Sequence, residues 1–263
     1  MTSRPEAVDY VLVEDTLPAV ILTMNRPGQR NALSAGLMRA LRDALREQSA
    51  RPECRAIVLR GAGPVFSAGH DLRELIGCPI DEQRAIFSLC SELMLAVQRA
   101  AQPVIASVQG LATAAGCQLA ASCDLVVASD QARFATPGVK IGLFCSTPAV
   151  ALVRAIGRKR AMEMLLTGAP IDAATAAAWG LVNRVVPPDR LDAEVMGLVG
   201  QIASSSPLTI RIGKEAFYRQ VEAGLEDAYA LMGETMAANA VTGDAQEGMG
   251  AFLDKRPPVW TGS

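Results

Sequence analysis

Two glycine-containing turns carry the residues with the greatest potential for chemistry. In each, a strand-like run ends in small residues: the segment Phe66–Leu72 contains Gly69, and Gly110–Gln118 contains Gly116. The second turn leads into a helix of small residues, whose first N–H groups have no intrahelical partner and lie at the positive end of the helix dipole. The two turns could therefore supply two backbone donors to one developing oxyanion. Close packing of strand and helix also explains such turns, and residue types alone leave both interpretations open.

His70 is the only histidine of the chain, and it lies in the first turn beside Asp71. Imidazole is the side chain whose unperturbed pKa is nearest neutrality, so the two residues form a candidate pair for acid–base chemistry. The alternative is that His70 contributes only its backbone N–H, with the side chain turned away. A single histidine also argues against most zinc sites, and we expect no metal.

A third glycine-rich stretch, Gly61-Ala62-Gly63, follows a strand-like run and must be compared with the dinucleotide-binding fingerprint. That motif needs a third glycine three residues after the second, where this chain has Phe66. Pro64 would also distort the turn. The spacing therefore argues against a nicotinamide-dependent enzyme, and no separate cofactor is expected.

Composition and charge exclude several classes of protein. Half of the 263 residues are hydrophobic, a fifth are charged, and the net charge is −2, without the basic stripe that nucleic-acid binding requires. The six cysteines form no C-x-x-C pair, which indicates free thiols in a reducing compartment. Met1–Val8 resembles neither a secretory signal nor a transit peptide, and no apolar run is long enough to span a bilayer. We therefore expect a cytoplasmic protein.

Strand-like and helical runs alternate over the first 200 residues, which predicts an α/β fold with a parallel sheet and crossover helices. The predicted strands are Tyr10–Glu14, Ala19–Met24, Arg55–Arg60, Pro103–Val108, Asp124–Ala128 and Val182–Val186, and the predicted helices are Gly36–Gln48 with Ser34 as N-cap, Asp81–Ala101 and Ala114–Ser122. Helical patterns then run from Ser206 to Phe252, with breaks expected at Gly213, Gly224, Gly233 and Gly243. We divide the chain into a β/α core, 1–200, and a helical C-terminal region, 201–263.

Five motifs occur in a characteristic order and spacing. They are Met24-Asn25-Arg26-Pro27 with Asn31-Ala32-Leu33-Ser34, Phe66–Leu72, Gln109–Ala120, Thr136-Pro137 with Gly142, and Gln246-Glu247-Gly248 with Phe252 and Lys255-Arg256. Over essentially the whole chain they resemble the enoyl-CoA hydratase/isomerase (crotonase) family, and most closely its branch called enoyl-CoA hydratase domain-containing protein three. The resemblance implies a crotonase-like spiral of β-β-α units with a helical C-terminal region, and coenzyme A as part of the substrate.

The resemblance also implies the site residues. Family members hold the thioester oxygen between two backbone N–H groups, which fall here at His70 and Ala115. The implied CoA contacts are Arg26 and Arg30 near the nucleotide, Ala68, Asp71 and Leu72 along the adenine and pantetheine path, and Phe252 and Lys255, which would reach a CoA bound largely by a neighbouring subunit. Family members are trimers, often paired into hexamers, so a homotrimer or hexamer that binds an acyl-CoA thioester is expected.

Two departures from the family pattern concern proton transfer. Hydratases carry glutamates where this chain has Gln118 and Gly138, and neither residue can act as a general acid or base. Related enzymes place an aspartate near Cys145, which could act only with a lowered pKa and is otherwise a small buried apolar residue. Gln118 could still orient a water. Two hypotheses follow: an atypical acyl-CoA lyase, isomerase or thioester hydrolase, or a non-catalytic acyl-CoA-binding or regulatory protein.

Overall fold

The computed structural model describes residues 9–263. The expectation about Met1–Val8 lies outside the described residues. The strands are β1 Val11–Thr16, β2 Ala19–Met24, β3 Ala56–Gly61, β4 Val65–Ser67, β5 Val104–Val108, β6 Leu111–Thr113, β7 Leu125–Ser129, β8 Arg133–Ala135, β9 Ile171–Asp172 and β10 Arg184–Val186. The helices are α1 Ala35–Ser49, α2 Ile80–Arg99, α3 Ala115–Ser122, α4 Ser146–Thr167, α5 Ala173–Trp179, α6 Leu191–Ala203, α7 Pro207–Gln220, α8 Leu225–Ala240 and α9 Gly243–Leu253.

The strands form two sheets that share a β-β-α repeat. The larger sheet has the order β1-β2-β3-β5-β7-β10 and is parallel except for the β1–β2 pair; the smaller has the order β4-β6-β8-β9 and is parallel except for β8–β9. Each unit, β3-β4-α2, β5-β6-α3 and β7-β8-α4, places one strand in each sheet and then a helix. The predicted α/β spiral of β-β-α units with a helical C-terminal region is confirmed.

The inner strands of the larger sheet, β2, β3, β5 and β7, are buried on both faces. One face packs with α1, α2 and α3 in the main core, and residues of α6, including Val195 and Val199, cover Val58, Ile105 and Val127 on the other face. All five residues of β5 are buried. Burial on both faces explains why these strands are continuous apolar runs rather than alternating ones.

The four strands of the smaller sheet, β4, β6, β8 and β9, were missed by the sequence prediction, which treated two of these places as turns. Each is only two or three residues long, below the length at which a hydrophobic period can be recognised. Two predicted helix breaks are also wrong, because Gly213 and Gly233 lie inside α7 and α8. A glycine in a helix costs only about 1 kcal/mol, which tertiary packing can offset. Gly224 and Gly243 do lie where helices begin.

A buried ion pair attaches the helical C-terminal region to the sheets. Nζ of Lys214 in α7 lies 2.6 Å from Oδ2 of Asp124 and also donates to the carbonyl oxygens of Val97 and Gln102. Tyr218 donates its hydroxyl to the other oxygen of Asp124 at 2.9 Å. These contacts fix α7 at the edge of the core, just before β7 begins. No helix within residues 9–263 is both long and apolar enough to cross a bilayer.

Candidate active site

The two predicted turns lie directly against each other. Gly69 follows β4 with φ of 84°. A Cβ atom built there would be 2.8 Å from Cβ of Ala114, 2.9 Å from the carbonyl oxygen of Thr113 and 3.1 Å from the nitrogen of Ala115. Only glycine adopts this conformation at such close range without displacement. The close approach brings the backbones of His70 and Ala115 to one place.

Both expected donors are free N–H groups. The strand-like segment at His70 pairs with Leu33, whose N–H donates to the Gly69 carbonyl and whose carbonyl accepts from Asp71, so the N–H of His70 faces away from this pairing. Ala115 is the first residue of α3. Within the part of the chain that the structure describes, neither N–H donates a hydrogen bond to a protein group. An unpaired backbone N–H group remains available to a hydrogen-bond acceptor such as a ligand oxygen.

Ala114, which precedes the donor residue Ala115, has an unfavourable backbone conformation. Its φ of 51° and ψ of −120° lie in a region that L-residues rarely adopt, which typically costs about 1–3 kcal/mol. The conformation is held by two hydrogen bonds, from its N–H to the Ala135 carbonyl at 2.9 Å and to its carbonyl from Gln118 at 3.0 Å. Gly116 lets the first turn of α3 pack on β4, because a Cβ there would be 2.4 Å from the Ser67 carbonyl oxygen.

The side chain of His70 does not pair with Asp71, so the sequence hypothesis of an acid–base pair is wrong. Both ring nitrogens of His70 are buried without a hydrogen-bond partner among residues 9–263, and the ring makes an edge contact with Phe87 at 5.3 Å between centroids. Asp71 instead forms an ion pair with Arg26 at 3.2 Å and accepts the N–H of Arg73. Burial lowers the pKa of His70, so the ring is neutral at pH 7.

Gln118 is buried on α3 and faces α2. Its Oε1 atom lies 4.0 Å from Sγ of Cys90, and its Nε2 atom donates no hydrogen bond to any residue from 9 to 263. Phe87 and Cys90 are three residues apart on α2 and therefore share one helix face, which lies against the site. The sequence prediction missed both, although the helical period of α2 would have placed them together.

Gly138 lies where the polypeptide leaves no room for a side chain. A Cβ atom there would be 2.1 Å from the Leu143 carbonyl oxygen and 2.7 Å from Sγ of Cys145. The segment is closed by a hydrogen bond of 2.9 Å from the Leu143 N–H to the Gly138 carbonyl. Cys145 is buried, and burial raises the pKa of its thiol, so it is protonated at neutral pH.

The two carboxylates that follow His70 most closely in the sequence make structural contacts. Asp71 is held by Arg26, as described above. Glu74 accepts the N–H of Ala35 at 2.7 Å and so caps the start of α1. Thr136 supplies a further polar atom, because its Oγ1 is buried and lacks a partner in the described structure. No cluster of three potential metal ligands occurs within residues 9–263.

The expected CoA-contact residues fall into two groups. Near the turns, Arg30 is exposed, its carbonyl accepts the N–H of Ala68 at 3.0 Å, and Leu72 is exposed beside them. The guanidinium of Arg26 is held inward by Asp71 and by the Ala32 carbonyl. In the helical region, Phe252 of α9 is 82% exposed and Lys255 follows the end of that helix. The helix packs on α7 and α8.

Known proteins of one family resemble this chain over most of its length. The family model described as enoyl-CoA hydratase/isomerase matches residues 18–263. The chain belongs to this family. It is 46% identical over 241 residues to the mitochondrial enoyl-CoA hydratase domain-containing protein 3 of Rattus norvegicus, covering 91% of this chain and 80% of the rat protein.

Solved structures of the family have the same fold. The crystal structure of human enoyl-CoA hydratase domain-containing protein 3 superimposes with a TM-score of 0.93 at 44% identity, covering 95% of this chain and all of the human one. An enoyl-CoA hydratase from Mycobacterium smegmatis gives a TM-score of 0.93 at 48% identity, with 95% and 98% of the two chains covered. The predicted membership in the family, and in the branch of domain-containing protein 3, is confirmed.

Proposed function

We propose that this protein binds an acyl-CoA thioester and polarises its carbonyl group between the N–H groups of His70 and Ala115. The proposal rests on one observation: the N–H groups of His70 and Ala115 lie close together beside Gly69, and neither donates to a group of residues 9–263. A backbone donor of this kind typically contributes ~10²–10³ in rate when charge develops on the oxygen. Enolate-like charge on a thioester is the species that the two donors would stabilise.

The reaction is not standard hydration. Hydration of an enoyl thioester needs a base to activate water and an acid to protonate the α-carbon, and each such group is worth ~10²–10⁴ in rate. Gln118 has an amide at one of these places, and at Gly138 the space for a side chain is filled by Leu143 and Cys145. An atypical acyl-CoA lyase, isomerase or thioester hydrolase therefore fits the site better, with His70, Gln118 and Cys145 as its remaining side chains.

A second candidate function is a non-catalytic acyl-CoA-binding or regulatory protein. It is favoured by the protonated thiol of Cys145 and by the burial of both ring nitrogens of His70, which keep these groups from proton transfer. Both the enzyme and the non-catalytic binder would use the N–H groups of His70 and Ala115, but only the enzyme would turn over its substrate. Products from a panel of acyl-CoA thioesters, followed by mass spectrometry, distinguish them, because only the enzyme converts any of them.

The test of the shared proposal uses a matched pair of variants. Proline is tolerated at the first position of a helix and lacks an N–H, so Ala115→Pro removes one donor and keeps α3. Proline restricts the backbone of the residue before it, so both proteins of the comparison also carry Ala114→Gly, which relieves this restriction. When butyryl-CoA binds to the Ala114→Gly protein, the infrared band of its thioester carbonyl should shift to lower frequency. In the protein that carries both Ala114→Gly and Ala115→Pro, this shift should be smaller by at least half. An equal shift in the two proteins would disprove the role of the Ala115 N–H.

Hydration is tested with crotonyl-CoA, followed by the loss of enoyl-thioester absorbance. We expect negligible hydration at protein concentrations at which CoA binding is readily measured. Robust hydration that Gln118→Ala abolishes would overturn our explanation of the missing carboxylates.

Association into a homotrimer or hexamer is proposed together with this function. An exposed apolar stripe on α8, formed by Leu225, Tyr229 and Met236, supports it, as does the exposed Phe252 on α9. In the assembly Phe252 and Lys255 would complete a neighbouring subunit's CoA site. Sedimentation velocity tests the state, and a monomer that binds CoA with undiminished affinity would remove this role. The cytoplasmic location stays a prediction.

A further inference from the structure

A second concave surface lies at the opposite end of α1 from the oxyanion turns. The start of α1 adjoins the turns through Leu33 and Ala35, and its fifteen residues extend about 22 Å to Ser49. There, a cavity of about 450 Å³ opens between the end of α1, the approach to β5 and the start of α7. Its walls include Arg51, Arg55, Gln102, Arg211 and Trp260.

A smaller cavity of about 300 Å³ adjoins the first, since Ser49 and Ala50 line both. It lies between the C-terminal ends of α1 and α2, and Arg46 and Arg99 contribute to its wall. Among residues 9–263, five arginines thus line the two cavities, and no aspartate or glutamate does. This is a strong local excess of positive charge in a chain whose net charge is −2.

The five guanidinium groups differ in how far the protein neutralises them. Arg51 forms ion pairs with Asp15 at 2.7 Å and Glu53 at 2.9 Å. Arg55 donates to the Ser205 carbonyl. The remaining three, Arg46, Arg99 and Arg211, form no ion pair or side-chain hydrogen bond with any residue from 9 to 263.

We propose that these adjoining cavities bind a small oligophosphate, either free or as the phosphate chain of a nucleotide. A guanidinium group presents a planar fork of donors that matches two phosphate oxygens, which makes arginine the preferred residue for this recognition. Concave surfaces lined by one sign of charge concentrate counter-ions of the other sign. Arg46, Arg99 and Arg211 are exposed to solvent and have no acidic partner among residues 9–263, so their combined charge favours an anion with several negative charges over a monovalent one.

Trp260 gives the site a way to distinguish the two sources of phosphate. Its indole N–H donates to the Ser204 carbonyl at 2.8 Å, which fixes the ring in the cavity wall. Arginine and tryptophan both stack on the faces of flat aromatic groups, so a nucleobase gains contacts that inorganic phosphate does not. The site is separate from the oxyanion turns and does not depend on the function proposed for them.

The experiment measures binding of inorganic triphosphate and of ATP without magnesium to the full chain by titration calorimetry at 0.15 M salt. The test protein carries Arg46→Gln, Arg99→Gln and Arg211→Gln. Its matched control carries Arg158→Gln, Lys159→Gln and Arg219→Gln, which remove the same charge at exposed residues outside the two cavities. Thermal melts verify that both remain folded.

We expect saturable binding of triphosphate to the unsubstituted protein, with an affinity at least tenfold lower in the cavity variant and changed less than twofold in the control. Tighter binding of ATP than of triphosphate, lost in Trp260→Leu, would assign the nucleotide as source; equal binding would assign the free oligophosphate. Equal losses in both triple variants would show a general charge effect and overturn the proposal. The absence of saturation at millimolar triphosphate and ATP would do the same.

Discussion

The Cα of Gly69 faces Ala114 so closely that a methyl group on Gly69 would approach the Ala114 Cβ to 2.8 Å. This contact joins the turn after β4 to the turn before α3, although the two are far apart in sequence. It determines where both free N–H groups point. The consequences can be measured.

Gly69→Ala should destabilise the protein by about 2–4 kcal/mol, since it adds steric overlap to a positive φ. It should also weaken acyl-CoA binding, because the turns must separate. Gly77→Ala is the matched control, as Gly77 has φ of 77° and no atom of residues 9–263 lies within 4 Å of the added methyl group. Urea unfolding and calorimetry provide the two measurements. Equal destabilisation by both substitutions would show that the contact with Ala114 contributes nothing.

Restoring the two glutamates should have different effects at the two positions. Gln118→Glu replaces a side chain of almost equal size, so we expect the fold to be retained with little hydration of crotonyl-CoA. Gly138→Ala and Gly138→Glu should both destabilise by a few kcal/mol, because the first side-chain atom already overlaps the backbone at Leu143. Thermal melts and the crotonyl-CoA assay measure these outcomes. A stable Gly138→Glu protein would contradict the geometry of this loop.

The single histidine should titrate below its ordinary value of about 6.5. Burial disfavours the charged ring in the folded state, whereas the unfolded chain binds the proton normally. The protein therefore loses stability as pH falls below the unfolded pKa. Because the untagged chain has one histidine, one imidazole resonance reports the titration by NMR. A midpoint at or above 6.5 would mean that the ring is not held in its buried position.

The C-terminal tail should detach in acid. Glu247 pairs with Arg256 and accepts the Val259 N–H, and the ion pair lowers its pKa to about 2. Asp244 is buried and accepts from Ser206 and Thr261; these hydrogen bonds outweigh the opposing effect of its burial and lower its pKa also.

Because the pKa values of Asp244 and Glu247 are lowered in the folded protein, acid weakens the attachment of the tail. The carboxylates stabilise the attached tail at every pH above their ordinary values of about 4, and this contribution is lost as pH falls through the folded pKa values. Fluorescence of Trp260 in a Trp179→Phe background should change mainly below pH 4, and Glu247→Gln should move the change to higher pH. An unchanged signal down to pH 2, with the rest of the protein folded, would refute this attachment.

Local patterns in the sequence determined the larger elements. The strand Ala19–Met24, the Ser34 cap of α1 and the parallel order of the long strands followed from apolar runs, capping chemistry and alternation of strands and helices. These signals arise between residues that are close in the chain. The family motifs likewise predicted two donor positions, at His70 and Ala115, because a backbone N–H depends on the position of a residue and not on its side chain.

Only the tertiary structure determined the contacts of the side chains at the candidate site and the pairing of the short strands beside it. The three-residue strands β4, β6 and β8 are stabilised by pairing with one another across long sequence separations, so no local period marks them. No local pattern shows that Asp71 forms an ion pair with Arg26 rather than with His70. Nor does one show that Leu143 and Cys145 occupy the space for a side chain at Gly138. Hydrogen bonding and steric exclusion depend on distances of a few ångströms between segments, which the order of residues does not specify.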